Sequence, residues 1–358
     1  MDYMLRALSL ARQVLGKTSP NPAVGAVIVK DGVTIGEGHT QPPGLWHAEV
    51  MALRQAGKGA RGATMYVSLE PCCHFGRTPP CTQAIIEAGI AEVHMATLDP
   101  NPLVSGKGKA GLEAAGIRTQ LGEHEAEARE LNEAYFKFIT THLPFVTVKF
   151  AMSLDGKIAT RGGESKWITG EEARRYAHSL REMVDAIMVG VNTVLADDPQ
   201  LTAPGSERQP LRVIVDSGAR TPPTARLLQM PGKTLIAVTE AAESGKIEGL
   251  KQAGAEVVAL PERQRLVELG ELLRLLGLRD ITSLLVEGGG TLLGSFFDLR
   301  LVDKVLAFVA PVIIGGEEAK PAVGGAGAEW LGQALRLSRM RMERLGEDVL
   351  MSGYPEVQ

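Results

Sequence analysis

Three short stretches of this chain carry the residue types needed for metal-assisted hydrolysis: His47-Ala-Glu49, Pro71-Cys72-Cys73-His74 and Pro80-Cys81. A catalytic zinc takes three protein ligands and keeps a fourth position for water, so one histidine and two thiolates suffice if they converge. His47, Cys72 and Cys81 make that set. Zinc brings the pKa of its water near neutrality, which yields a nucleophile for a ring carbon bearing an exocyclic amine. A carboxylate two residues past the histidine can carry protons to the ring nitrogen and the departing amine without binding the metal. Glu49 fits that role.

The neighbouring residues predict the elements that hold this set. His47 to Ala56, followed by Gly57, has helical composition and a stop signal, and Cys81 to Ala88, followed by Gly89, reads the same way. Two helix N-termini then face the metal, and their partial positive charge favours thiolate over thiol. Zinc deaminases usually carry Pro-Cys-x-x-Cys. Here eight residues separate Cys72 from Cys81, and Cys73 competes with Cys72. Adjacent side chains diverge, so one of the pair binds, and Cys72, directly after the proline, is the expected ligand.

At these residues a family resemblance emerges. Asn21-Pro-Ala-Val-Gly-Ala-Val-Ile-Val, His47-Ala-Glu-Val, Leu69-Glu-Pro-Cys-Cys-His-Phe-Gly-Arg-Thr-Pro-Pro-Cys81 and Asp99-Pro-Asn-Pro102 resemble the deaminase half of the bifunctional riboflavin-biosynthesis deaminase/reductases. The long cysteine spacing is normal in that family. The resemblance continues through Lys149-Phe-Ala-Met-Ser-Leu-Asp-Gly-Lys157, Ser165-Lys-Trp-Ile-Thr169, Thr193-Val-Leu-Ala-Asp-Asp-Pro199 and Val286-Glu-Gly-Gly-Gly290, and so covers nearly the whole chain.

It implies an α/β protein of two domains. Residues 1–143 would form a cytidine-deaminase-like three-layer domain with zinc, and residues 144–358 a dihydrofolate-reductase-like α/β domain with NADPH. The first would deaminate a phosphoribosylated diaminopyrimidinone and the second reduce its ribosyl side chain. By resemblance Asn21, His74, Arg77, Asp99 and Asn101 contact the deaminase substrate. Ala151, Trp167, Thr193, Asp197 and the run Gly288, Gly289, Gly290, Thr291, Leu292 and Leu293 match cofactor positions. Ser165, Arg181, Leu201 and Glu287 match positions for the reductase substrate. Chemically, Arg77 and Arg181 suit phosphate, since a guanidinium fork binds oxyanions bidentately. Glu287 suits a sugar hydroxyl, Trp167 offers a flat apolar face, and Lys149 and Asp197 suit polarising the ribose C1 or shuttling its proton. Lys149, Asp197 and Glu287 therefore stand beside Glu49 as catalytic candidates. Two positions depart from the family: Thr40 stands where a pocket histidine is usual, with His39 one place earlier, and Pro204 stands where an arginine is usual, with Arg208 as the candidate replacement.

Composition bounds the rest. At 358 residues, 44% hydrophobic and 22% charged, the chain has material for two ordinary cores. A formal charge of −4 argues against a broad nucleic-acid surface. All 3 cysteines fall within ten positions, which reads as a metal cluster in a reducing compartment. With no signal peptide at Met1-Asp-Tyr-Met-Leu-Arg and no membrane-length apolar run, a cytoplasmic protein without a membrane partner is expected.

Periodicity predicts an opening helix over Asp2 to Leu15, a hairpin from Val24 to Val29 and Val33 to Glu37 about Asp31-Gly32, and strands over Thr64 to Leu69 and Glu92 to Thr97. A single helix is expected over His124 to Thr140, whose aromatic residues pack and do not bind ligand. In the second half a strand over Phe145 to Met152 precedes a helix opened by a Thr169-Gly-Glu-Glu172 capping box. Strand-like runs at Ala186, Leu211, Thr234, Glu256, Ile281 and Lys304 alternate with helical ones, including Gln264 to Leu276. Gly288-Gly-Gly290 between a strand and a helix reads as a tight turn whose N–H groups could cradle phosphate. The apolar run Leu299 to Ile314 is either a buried strand or part of an interface in a homo-oligomer, as the family tends to form. Two rivals are a nucleoside or base deaminase with a non-catalytic second domain, and a purely structural zinc protein, which needs a fourth ligand such as Cys73 or His74.

Overall fold

The computed structural model describes residues 2–76, 79–206 and 208–356. The chain forms two compact units, Met1–Leu143 and Pro144–Gln358. Arg77 lies outside the described residues.

Unit 1 runs α1 (Tyr3–Arg12), β1 (Gly25–Lys30), β2 (Val33–His39), α2 (Ala48–Ala56), β3 (Thr64–Val67), α3 (Cys81–Ala88), β4 (Glu92–Met95), α4 (Lys107–Ala114), β5 (Arg118–Leu121), α5 (Glu125–Leu131) and α6 (Glu133–Thr141). Its sheet has the order β2-β1-β3-β4-β5. The hairpin side is antiparallel, and β3, β4 and β5 are parallel. Alternate residues of β1 face opposite ways, as a pleat requires. Ala26 and Ile28 pack toward α2, α3 and α4 through Ala48, Ala52, Ile85 and Leu112. Val27 and Val29 pack toward α1 and α5 through Met4, Leu8 and Ala128. Each such Leu or Met side chain, fully buried, contributes roughly 1.5–3 kcal/mol. This makes three layers.

Two glycines set the height of α2 over the sheet. A Cβ on Gly36 would sit 2.3 Å from the Ala52 carbonyl oxygen, and one on Gly38 2.3 Å from that of Ala48. Only bare backbone admits the helix this close, and the same helix carries Glu49.

Unit 2 runs β6 (Phe145–Ser153), α7 (Glu171–Glu182), β7 (Ala186–Gly190), α8 (Val191–Asp197), β8 (Leu211–Val215), α9 (Arg226–Gln229), β9 (Thr234–Thr239), α10 (Ser244–Gln252), β10 (Glu256–Leu260), β11 (Glu262–Arg263), β12 (Leu266–Val267), α11 (Leu269–Gly277), β13 (Ser283–Glu287), α12 (Gly290–Asp298), β14 (Lys304–Ala310), β15 (Leu337–Leu345) and β16 (Asp348–Pro355). Nine strands form one sheet in the order β10-β9-β8-β7-β13-β6-β14-β16-β15. It is parallel from β10 to β14, and β16 and β15 add an antiparallel margin. Ile187, Val189, Ile214 and Ile236 build a core with α8, α9 and α10. Phe308 and Leu350 build another with Ala173 and Ala177 of α7. The Leu299 to Ile314 run is accordingly a buried strand over Lys304–Ala310, with Pro311, Val312 and Ile313 exposed beyond it. Among the described residues no helix is long and apolar enough to cross a membrane.

Four expectations are corrected. Asn132 divides the helix expected over His124 to Thr140: its Oδ1 accepts the Ala23 N–H and its Nδ2 donates to the Ala23 carbonyl, each at 2.9 Å. That buried pairing outweighs one more helical turn. The Thr169 capping box does not form, because Gly170 is the N-cap of α7 and its N–H goes to Asp348 Oδ2 at 2.7 Å. Gln264 to Leu276 is helical only from Leu269, where Glu268 caps α11. Before it, Gln264 and Arg265 take positive φ in the turn of the β11/β12 hairpin. The opening helix stops at Arg12, short of Leu15.

Candidate active sites of the two units

His47 is the N-cap of α2, and Cys81 opens α3. The ligand atoms of His47, Cys72 and Cys81 all lie within 4.8 Å of one another. His47 Nδ1 is 3.6 Å from Cys72 Sγ and 3.3 Å from Cys81 Sγ. A tetrahedral zinc at ordinary Zn–N and Zn–S bond lengths separates such atoms by about 3.6 Å. The donor set therefore fits a zinc ion. Cys73 Sγ points instead to the Leu103 carbonyl at 3.6 Å.

The start of α3 favours a thiolate here: the Cys81 N–H donates to Cys72 Sγ at 3.3 Å, and the Thr82 N–H to the Cys72 carbonyl at 3.2 Å. The bond between Cys72 and Cys81 lowers the Cys72 pKa and raises that of Cys81. His47 is raised to about 9 through its bond to Cys72. Glu49 lies beside them on the first turn of α2, 4% exposed, and burial lifts its carboxyl to about 7.

Of the expected pocket residues, Asp99 and Asn101 are held by backbone. Asp99 Oδ1 accepts the Asn101 N–H at 2.9 Å, and Asn101 Oδ1 that of Leu103 at 3.0 Å. Asn21 closes a turn with Thr18, whose hydroxyl donates to the Asn21 carbonyl at 3.0 Å. Nδ1 of His74 is buried and has no hydrogen-bond partner among the described residues. Thr40 is a framework residue, buried, with Oγ1 accepting the Val24 N–H at 3.2 Å. His39 beside it meets Gln41 Nε2 at 3.1 Å.

Two residues that fix this pocket escaped the sequence reading. Glu70, in the Leu-Glu-Pro-Cys run, accepts the N–H groups of Asp99 (3.2 Å), Gly106 (2.9 Å) and Lys109 (2.9 Å). Tyr135 packs in the core as expected, yet its hydroxyl also donates to Asp99 at 3.1 Å. A carboxylate two residues before Cys72 was the available signal for the first. None pointed to the second.

In unit 2 the site gathers at the C-terminal ends of the parallel strands. Glu287, the last residue of β13, lies in register with Lys149 of β6. Arg181 of α7 grips it through Nε (2.9 Å) and Nη2 (3.0 Å), and Lys149 Nζ stands 3.8 Å away. Burial alone would raise the Glu287 pKa, but the Arg181 and Lys149 charges outweigh it and hold the carboxyl at about 2. The Arg181 fork, expected to meet phosphate, is thus turned to Glu287, and its Nη1 goes to the Thr202 carbonyl at 3.2 Å. Leu201 is buried with positive φ.

Ser165 Oγ meets Asp197 Oδ1 at 3.3 Å, and Thr193 Oγ1 accepts the Gly289 N–H at 3.1 Å. Ala151 is half-buried on β6, beside Phe308 of β14. Trp167 is 70% exposed under the Arg174 guanidinium, 4.7 Å from its ring centre. Gly288 takes φ +148°, a conformation open to glycine, and leads through Gly289 into α12, whose first residues are Gly290 and Thr291. Leu292 and Leu293 have buried side chains, and their N–H groups bond back to the Gly289 carbonyl at 3.1 and 3.4 Å, inside the first turn. Arg208 does not replace the arginine missing at Pro204. It pairs with Asp185, which also binds the Thr282 N–H at 2.8 Å, at the starts of β7 and β13. The four steps from Ser283 to Glu287 put that place about 13 Å from the cluster.

A zinc-type deaminase centre in one α/β unit, joined in one chain to a second α/β unit with a charged site at its strand ends, defines the class: a two-domain deaminase and reductase. Residues 1–97 match the cytidine and deoxycytidylate deaminase zinc-binding region, and residues 144–351 match the RibD C-terminal domain. The riboflavin biosynthesis protein RibD of Aquifex aeolicus is 47% identical, across 98% of this chain and 97% of that one. That of Escherichia coli is 41% identical across 98% and 97%. A crystal structure of a diaminohydroxyphosphoribosylaminopyrimidine deaminase/5-amino-6-(5-phosphoribosylamino)uracil reductase from Thermotoga maritima superposes with a TM-score of 0.86 at 37% identity, covering 99% of this chain and 98% of that one. Acinetobacter baumannii RibD gives 0.87 at 38%, with the same coverage.

The chain belongs to the RibD family of bifunctional riboflavin-biosynthesis enzymes. It is a zinc-dependent deaminase and an NADPH-dependent reductase acting on small molecules. The cytidine-deaminase-like and dihydrofolate-reductase-like α/β fold expected from the sequence holds. The match over residues 144–351 speaks against a second domain without activity.

Proposed function

We propose that unit 1 deaminates 2,5-diamino-6-(5-phosphoribosylamino)pyrimidin-4(3H)-one and that unit 2 reduces the product to 5-amino-6-(5-phosphoribitylamino)uracil. The observation that carries this reading is the His47, Cys72 and Cys81 donor set with the buried Glu49 carboxyl beside it. Zinc, when bound by those three residues, supplies the Lewis acid that makes water a nucleophile at neutral pH. With a pKa near 7, Glu49 can both take and return a proton. It takes one proton from the attacking water and passes it to the ring nitrogen, then carries the added hydroxyl's remaining proton to the departing amine, so that a C=O bond replaces the C–N bond and ammonia leaves. Asn21, His74, Asp99 and Asn101 orient the pyrimidine, and Arg77 meets the phosphate.

In unit 2, NADPH bound along Ala151, Trp167, Thr193, Asp197 and the Gly288 to Leu293 run supplies a hydride to the ribosyl C1. Lys149, fixed beside Glu287, donates the proton that the sugar oxygen needs as its ring opens. Asp197 relays that proton. Glu287 and Arg181 as a pair present one hydroxyl acceptor and the residual positive charge toward the ribosyl phosphate, with Ser165 and Leu201 lining the same side. The enzyme acts in the cytoplasm as a homo-oligomer and does not bind nucleic acid. Its clustered cysteines, its family and its charge of −4 support those three statements in turn.

The test is a single incubation of zinc-loaded protein with the phosphoribosylaminopyrimidine, following ammonia and NADPH absorbance together. NADPH loss that waits on ammonia release is expected. NADPH loss without it would reverse the proposed order.

A further inference from the structure

The Gly288–Gly290 loop is gripped from two sides. On one side is Thr193, which binds Gly289. On the other runs a glycine-rich strap, residues 312–327, passing from the turn after β6 across the first turn of α12 to that helix's last residue. Asp155 pins the start of the strap: its Oδ1 accepts the Ile314 N–H at 3.0 Å and its Oδ2 the Gly315 N–H at 2.7 Å. Ser153 Oγ steadies the same carboxylate at 2.6 Å. Asp298 pins the end, accepting the N–H groups of Ala326 (2.8 Å) and Gly327 (3.1 Å).

Between the pins, strap and loop meet backbone to backbone. The Gly324 N–H donates to the Gly290 carbonyl at 2.9 Å. A Cβ on Gly290 would lie 2.7 Å from the Pro321 oxygen, and one on Gly294 2.3 Å from the Gly324 carbonyl carbon. There is no side-chain layer to absorb a shift, so a displacement of the strap passes directly to the loop. A carboxylate holding two amides makes a charge-assisted pin, which a neutral amide reproduces only in part.

We propose that this strap is the wall against which the cofactor loop is set, and that Asp155 is a positioning residue for NADPH binding in the reductase. The proposal rests on the reading that Gly288–Gly290 holds NADPH. Asp155 touches no reacting atom; it acts through the strap. Its effect therefore falls on the KM for NADPH and leaves the chemical step at saturation alone.

The experiment uses the full zinc-loaded chain with Asp155→Asn and, from the opposite side, Gly294→Ala. Steady-state reduction is titrated with NADPH, and amide hydrogen exchange is followed over residues 288–293 in the free enzyme. Each variant is expected to raise the KM for NADPH about tenfold, keep kcat within about twofold, and speed exchange of the loop amides. Ammonia release stays unchanged. Unchanged KM together with unchanged exchange would overturn the wall. Faster exchange at unchanged KM would overturn the cofactor reading and the proposal with it. A drop in kcat at constant KM marks a smaller folded fraction and also counts against it.

Discussion

Glu49 in unit 1 and Glu287 in unit 2 are both buried carboxylates at the heart of a site, and the two units treat them in opposite ways. Glu49 is 4% exposed and Glu287 is 8% exposed, so burial is nearly the same. Burial dominates at Glu49 and lifts it to about 7; at Glu287 the charges of Arg181 and Lys149 overcome burial and hold it at about 2. The difference is therefore made by neighbours and not by depth. A proton carrier has to gain and lose its proton near working pH, whereas an anchor for two cations has to stay charged.

The largest expected effect comes from removing the carrier. Glu49→Gln should cut ammonia release by about 10²–10⁴-fold while bound zinc and reduction of supplied deaminated intermediate are retained. An unimpaired Gln variant would end the contrast, since a permanently neutral amide cannot shuttle protons.

Removing the anchor should act on stability. Glu287→Ala leaves two partly buried cations, Arg181 and Lys149, without their partner, a loss of about 3 kcal/mol, read from the urea midpoint of the unit 2 transition. A midpoint equal to wild type would mean that Arg181 and Lys149 are well solvated without Glu287.

Titration sharpens the same point. The folded pKa of Glu287, about 2, lies below the ordinary 4.5, so its stabilisation is complete above pH 4.5 and is lost as pH falls toward 2. That window is worth on the order of 3 kcal/mol, absent in Glu287→Gln. Parallel acid unfolding curves for the two proteins would refute it.

Framework and site can then be separated within unit 1. Asn132→Ala strands the Ala23 N–H and carbonyl and should cost about 1–3 kcal/mol in thermal or urea unfolding, with zinc content unaltered. Smallest of all, Cys73→Ser should leave both zinc content and ammonia release at wild-type values. Lost zinc would make Cys73 a ligand.

The convergence of His47, Cys72 and Cys81 was legible because their chemistry is written in residue type and their placement in local signals, a histidine and a cysteine each opening a helix that a glycine closes. The same holds for most strands, whose apolar runs are continuous. What stayed hidden depends on partners distant in sequence. Gly170 is capped by Asp348, and Asn132 borrows the backbone of Ala23. No local pattern announces either bond. Arg208 illustrates the converse: nearness in sequence to Pro204 suggested substitution, yet the strand direction carries it to the far end of the sheet. The Arg181 fork was recognised by type, but only the fold shows that Glu287 occupies it.

Strand order also has a consequence for how the chain is made. In unit 1 the strand pairing with the largest sequence separation joins β1 to β3, within the first 70 residues, and β1 pairs with β2 as a local hairpin, so that sheet begins to close early in synthesis. In unit 2 the first strand emerges long before its neighbours: β6 ends at Ser153, while its partners β13 and β14 start at Ser283 and Lys304. At ribosomal speeds of about 5–20 residues per second, that strand waits several seconds with both edges open. The second half of the molecule is thus the one that most needs shelter while it is being born.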